Sequence, residues 1–106
     1  MAQVKWTVKA DSLFDKYVFN AFFEFGARTS KKWMLERIMF TDRVAKHPES
    51  YSPESFLANR KHLYRSCQIM RRFKIVYYYA KSSDMVHIVV MQNVANSKLL
   101  SKFSDV

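Results

Sequence analysis

Glycine is almost missing from this chain. Of 106 residues only Gly26 is glycine, where average usage of ~7% would give about seven. Neither G-x-x-x-x-G-K-[ST] nor G-x-G-x-x-G can be written with one glycine, so both glycine-rich phosphate cradles are excluded. Cysteine is as scarce. Cys67 stands alone, and one thiol closes no intramolecular disulfide and builds no cysteine-based metal site. Such usage fits a reducing compartment, and the expectation is cytoplasmic. The stretch from Met1 to Lys9 shows no apolar signal core. The longest apolar runs, 75–80 and 86–91, fall far short of the ~18 residues a membrane span needs, so no membrane role is expected. Acids are few as well: 9 against 18 Lys and Arg leave a net charge of +9. An apolar content of 49% is too high for a disordered basic tail. The expectation is one domain over 1–106, meeting a polyanion or an acidic protein.

What is present changes character halfway. Residues 3–9 alternate, with Val4, Trp6 and Val8 against Lys5, Thr7 and Lys9, which predicts a half-buried strand. Residues 12–25 switch to helical spacing. Leu13, Phe14, Tyr17, Val18, Ala21, Phe22 and Phe25 make one broad apolar face, with Asp11 or Ser12 as cap. Phe19 and Phe23 lie off that face and, if exposed, mark a protein-binding surface. Gly26 stands where a helix end wants a left-handed residue. Thr29 or Ser30 then caps a second helix from Lys31 to about Lys46, with Met34, Leu35, Ile38, Met39 and Ala45 as its inner stripe. His47-Pro48 ends it, because the residue before proline disfavours helix. The short link makes an antiparallel helical hairpin. Residues 47–61 hold both prolines and read as loop, with a single helical turn at Ser55-Phe56-Leu57. Three strands follow, Leu63–Ile69, Arg72–Lys81 and Met85–Gln92, joined at Met70-Arg71 and Ser82-Ser83-Asp84. Ser97–Phe103 reads as a short terminal helix. The order β-α-α-β-β-β predicts an α+β two-layer domain, an N-terminal strand and helical hairpin on a mostly antiparallel sheet that ends in a three-stranded meander.

The basic residues crowd into one stretch. Arg60, Lys61, Arg65, Arg71, Arg72 and Lys74 fall in 60–74, and no acid lies between Glu54 and Asp84. Neighbouring strands are ~5 Å apart, so these charges are expected to gather mainly at one end and one face. Like charges opposite each other destabilise a sheet, so an uncompensated cluster points to an anionic partner. Tyr77, Tyr78 and Tyr79 alternate faces, Tyr78 opposite its neighbours. Tyrosine suits half-buried sheet positions, and with interleaved basic residues it also stacks nucleobases. The three histidines, His47, His62 and His87, show no metal-ligand spacing, and neither metal nor cofactor is expected. His87 and Cys67 read as structural strand residues. The one catalytic chemistry open to such a chain is metal-free RNA cleavage, with Lys and Arg stabilising phosphorane charge and Tyr64 positioned among Arg65, Arg72 and Lys74.

Several segments together resemble the RelE/ParE superfamily of toxins from bacterial type II toxin–antitoxin modules. They are Val4-Lys5-Trp6-Thr7-Val8-Lys9-Ala10, Ala45-Lys46-His47-Pro48-Glu49, Leu63-Tyr64-Arg65-Ser66, and Arg71 to Tyr79 followed by Val86-His87-Ile88-Val89. The resemblance runs from about Val4 to Phe103. It implies a helical hairpin on an antiparallel sheet and a toxin neutralised by a cognate antitoxin with an acidic tail. RelE-like members cut mRNA on the ribosome, and Arg65 and Lys74 match basic active-site positions on two strands. The family's further arginine would fall at 94–96, where Val94, Ala95 and Asn96 stand, and no tyrosine follows Tyr79. The resemblance therefore favours a ParE-like role, inhibition of a target such as DNA gyrase by binding. The alternatives are a ribosome-dependent mRNA endonuclease and a basic RNA-binding module without toxin activity. In the binding roles Arg60, Lys61, Tyr64, Arg71, Arg72 and Asn96 are the candidate contacts to target or nucleic acid.

Overall fold

A computed structural model describes residues 1–103. The chain forms β1 (Gln3–Trp6), α1 (Val8–Phe25), α2 (Ala27–Lys46), β2 (Tyr64–Ile69), β3 (Phe73–Ala80) and β4 (Met85–Asn93). Short 3-10 turns lie at Ser55–Leu57, Lys81–Ser83 and Val94–Lys102. The sheet order is β1-β4-β3-β2, with β1 parallel to β4 and the meander antiparallel. This is the α+β arrangement expected from the sequence. No helix among the described residues is long and apolar enough to cross a membrane.

The first strand stops earlier than its alternation suggests. Thr7 caps α1, its hydroxyl accepting from the Ala10 N–H at 3.2 Å, so Val8 is already helical and exposed. The capping hydroxyl comes before Asp11 and Ser12 and wins the start of the helix. Gly26 then does two jobs at φ +93°. Its N–H closes α1 on the Phe22 carbonyl at 3.0 Å, and its carbonyl accepts the first bond of α2 from Ser30 N–H at 3.3 Å. A one-residue link pulls the start of α2 back to Ala27, so Thr29 and Ser30 lie inside the helix rather than capping it.

The inner face of α2 differs from the predicted stripe. Met34, Leu35, Ile38 and Met39 are all exposed, whereas Ser30, Trp33, Phe40, Val44 and Ala45 are buried. Both sets have helical spacing, and the buried one carries the aromatic volume. Trp33 meets Phe73 at 5.5 Å and Phe40 meets Tyr77 at 6.1 Å, both edge-on. Arg37 shares this face. Its guanidinium lies 3.8 Å from the Trp6 ring centroid and pairs with Asp11 at 2.7 Å. An arginine in cation–π contact can occupy a seam that a count of aliphatic residues assigns to leucine. On α1, Phe14 and Ala21 are buried and Leu13, Tyr17 and Val18 pack on the core as expected, while Phe22 and Phe25 remain exposed.

The meander matches the sequence closely. Met70 and Arg71 both have positive φ, 55° and 63°, as the primed turn of a two-residue hairpin requires. The β3–β4 ladder has one irregularity. Val76 pairs with Val90 and Tyr77 with Ile88, so Val89 is bulged out of register. The main core lies between the helices and one side of the sheet, around Ile75, Tyr77, Val86 and Ile88. A smaller cluster of Leu57, Tyr64, Val76, Val89, Val90 and Leu100 covers part of the other side. The predicted terminal helix is a kinked 3-10 segment that begins three residues earlier, at Val94, and bends at Asn96.

Candidate interaction surfaces

The strand register decides where the basic stretch goes. Arg65 pairs with Tyr77 and Lys74 with Gln68, and alternation puts these two rows on opposite sides of the sheet. The expectation of one basic face is not met. Arg65, on the helix side, donates to the Tyr51 carbonyl at 2.7 Å and approaches Glu49 at 3.7 Å. Lys74, on the open side, pairs with Glu54 at 2.7 Å. Glu54 is buried, and also accepts from the Ser66 hydroxyl at 2.8 Å and the Phe56 N–H at 2.9 Å. Burial pushes its carboxyl pKa up, but the bonds from Lys74, Phe56 and Ser66 outweigh that and leave it lowered. Both acids precede the acid-free stretch in sequence, and the 47–61 loop folds them back onto it.

The other candidate residues are spread as widely. Arg60 donates to the Phe103 and Ser101 carbonyls, the latter at 2.7 Å, and so ties down the terminal 3-10 segment. Lys61 is exposed beside it. Tyr64 is buried in the smaller cluster, edge-on to Tyr78 and Phe103. Arg71 is exposed at the turn, and its carbonyl accepts from Gln68 at 2.6 Å. Arg72 lies over the rings of Phe25 and Trp33 at the hairpin tip, 4.9 and 5.9 Å away. Asn96 is exposed at the kink, its carbonyl accepting from Gln92 at 2.6 Å. Arg65, Arg72, Lys74 and Tyr64 therefore do not converge on one point where a scissile phosphate would sit. Cys67 is a packing residue, its thiol pKa pushed up to about 11 by burial.

The structure exposes instead an apolar surface on the helical hairpin. Phe19 and Phe23 are 65% and 71% exposed, and Phe22 is half exposed; on α2, Leu35, Ile38 and Met39 are 60%, 63% and 69% exposed. The prediction that Phe19 and Phe23 stand off the core is met, and the phenylalanines contact one another at 4.9 and 5.4 Å. Arg28, Lys31, Lys32, Arg43 and Lys46 are exposed on α2, against the single exposed acid Asp42, which Lys46 already pairs at 3.0 Å, while α1 exposes Asp15 and Glu24 beside Lys16, so the basic excess lies on α2. Apolar side chains rimmed by charge mark a surface that binds protein. A groove of about 490 Å³ adjoins it between α2 and β2, lined among others by Met39, Phe40, Arg43, Tyr51 and Cys67. The sequence missed the α2 half because its apolar stripe reads equally well as core.

No protein-family model matches this sequence, and no curated protein matches it. Among solved structures, a chain of the chromosomal ParDE TA system from P. aeruginosa superposes with a TM-score of 0.69 at 15% identity, covering 89% of this chain and 97% of that one. What the two share at that identity is the fold, over nearly the whole length of both chains.

Proposed function

We propose that this chain is the toxin component of a type II toxin–antitoxin pair, and that it acts ParE-like, by binding its target rather than by cutting RNA. The shared fold supports the toxin reading. The observation that carries the choice between mechanisms is the separation of Arg65 and Lys74 onto opposite sides of the sheet, each engaged by a glutamate. Phosphoryl-transfer catalysis needs its cationic groups aimed at one developing charge, and these two aim apart. The hairpin face supplies what a binding toxin needs: exposed apolar anchors with a basic rim that suits an acidic protein partner. In this reading the partners are a cognate antitoxin and a target such as DNA gyrase, both in the cytoplasm.

Induced expression in bacteria, with and without the neighbouring gene, tests the reading. Growth arrest relieved by that gene is the expected result, with inhibited gyrase supercoiling in vitro and no codon-periodic mRNA cuts by primer extension. Leu35→Asp with Ile38→Asp is expected to abolish the arrest in a folded protein. Cuts that disappear in Arg65→Ala and Lys74→Ala overturn the reading in favour of an mRNA endonuclease. Absence of any arrest leaves the RNA-binding module.

A further inference from the structure

The open side of the sheet carries an arrangement that a toxin acting through its hairpin does not use. One row crosses the strands: Lys5 of β1 partners His87 of β4, His87 partners Tyr78 of β3, and Tyr78 partners Tyr64 of β2. The Tyr78 and His87 rings are stacked, with centroids 4.8 Å apart and planes 18° from parallel. His62, just before β2, lies flat on the other face of Tyr78 at 3.9 Å and 5°. Three rings therefore stand in one stack, their planes facing along the direction that separates the strands. Tyr64 braces the stack edge-on, 5.7 Å from Tyr78 and 5.9 Å from His62. All three stacked rings keep part of their surface in solvent.

The bulge at Val89 builds this row. In unbroken register Tyr78 would face Ile88, and His87 would point into the helix-covered core. Removing Val89 from the ladder sends Ile88 inward and His87 outward. Bulges that re-aim a side chain concentrate at functional sites. The charge of this side is also one-sided. The strand residues that share it include Lys5, Gln68, Lys74 and Gln92, and none is acidic. Glu54 reaches it from the loop, but is buried and taken by Lys74, Ser66 and Phe56. The stack ends at His87 with exposed Lys5 alongside, on β1, the edge of the sheet.

We propose that His87, Tyr78 and His62, with Lys5, form a stacking subsite for an unpaired base of a single-stranded nucleic acid. The base extends the ring stack on the β1 side of His87, where the exposed Lys5 side chain gives up its place beside the ring and turns outward to the adjoining phosphate. Aromatic platforms beside basic side chains bind single strands in this manner, whatever the base, because each base has a π-face. Duplex is excluded, since its bases are already stacked on each other.

Fluorescence anisotropy tests this with the full chain and a 5′-labelled 12-nucleotide strand of mixed sequence, as RNA and as DNA, each also annealed to its complement. The single strand is expected to bind more tightly than the duplex. RNA and DNA binding alike fits stacking alone, and RNA above DNA adds a 2′-hydroxyl contact to the same subsite. His87→Leu is expected to weaken single-strand binding about 5–150-fold, the range for losing one stacked base, and His87→Phe to retain it. A merely structural His87 would not distinguish these two, so an equal loss in both overturns the proposal. Lys5→Gln is expected to lower the salt slope by about 0.7. Binding equal for single strand and duplex, or unchanged in His87→Leu, overturns the stacking subsite and leaves only diffuse charge. No detectable binding overturns it outright. None of these outcomes bears on growth arrest, so the toxin reading stands or falls separately.

Discussion

The two sides of this one sheet are held by different means. On the helix side Ile75, Tyr77, Val86 and Ile88 lose all their exposed surface, and the helices supply Trp33, Phe40 and Phe14 against them. On the open side Val76 is as fully enclosed, but around it stand an ion pair, a ring stack and two 3-10 turns. The first side is a packed hydrocarbon interior, where stability follows volume. The second depends on polar geometry. One strand feeds both: in β3 Ile75 and Tyr77 point one way, Lys74, Val76 and Tyr78 the other.

Substitutions on each side test this contrast. Tyr77→Ala is expected to cost about 4 kcal/mol in urea denaturation, since it empties a fully buried site and removes the hydroxyl that donates to the Pro48 carbonyl at 2.9 Å. If it costs under 1 kcal/mol, the helix side is not the stabilising one. Glu54→Ala is next, at about 3 kcal/mol, because it strands Lys74 and Ser66 on the open side. Glu49→Ala is its control. Those contacts are longer, 3.6 and 3.7 Å, and Glu49 is half exposed, so under about 1 kcal/mol is expected.

The lowered pKa of Glu54 has a definite sign. Its contribution is complete above the ordinary carboxyl value of 4.5 and is lost as pH falls through the lower folded value. Acid titration of stability in wild type and Glu54→Gln should therefore run a constant distance apart above pH 4.5 and converge as pH falls below it. Gly26→Ala comes lower. A Cβ there meets nothing within 4 Å, so only the backbone is penalised: at φ 93° and ψ 176° Gly26 occupies a region essentially closed to other residues, at a cost of about 2 kcal/mol, and a larger loss would mean the hairpin link is packed after all. The smallest effect is at His87, whose pKa is lowered by burial and then by Lys5 and His62. Its folded form resists a proton the unfolded chain accepts, so stability should fall slightly as pH drops below 6.5, and His87→Phe should flatten that dependence.

Much of the fold was legible because the periodicities are clean. The alternation in 73–79, the turn at Met70-Arg71 and the helix stop at His47-Pro48 each have one reading, and the structure follows them. The inner face of α2 was ambiguous for a physical reason: Trp33, Phe40 and Val44 compete with Met34, Leu35, Ile38 and Met39 for the core, and only the shape of the sheet chooses. The site was less legible. A run of six basic residues is visible in sequence, but alternation divides Arg65 from Lys74, and a loop returns Glu49 and Glu54 to meet them. The ring stack was hidden by the bulge at Val89, since unbroken alternation sends His87 to the wrong side.

The parallel pairing of β1 with β4 has a consequence in time. The first strand of the domain closes the sheet against the last. During synthesis α2 is finished at Lys46, but Met85, where β4 begins, lies 39 residues further on. At ~5–20 residues per second the buried faces of α1 and α2 wait roughly 2–8 s for the sheet that covers them. A nascent chain in that interval exposes both sides of its helical hairpin. If the proposed antitoxin binds the outer side, it has a docking surface before the sheet is complete.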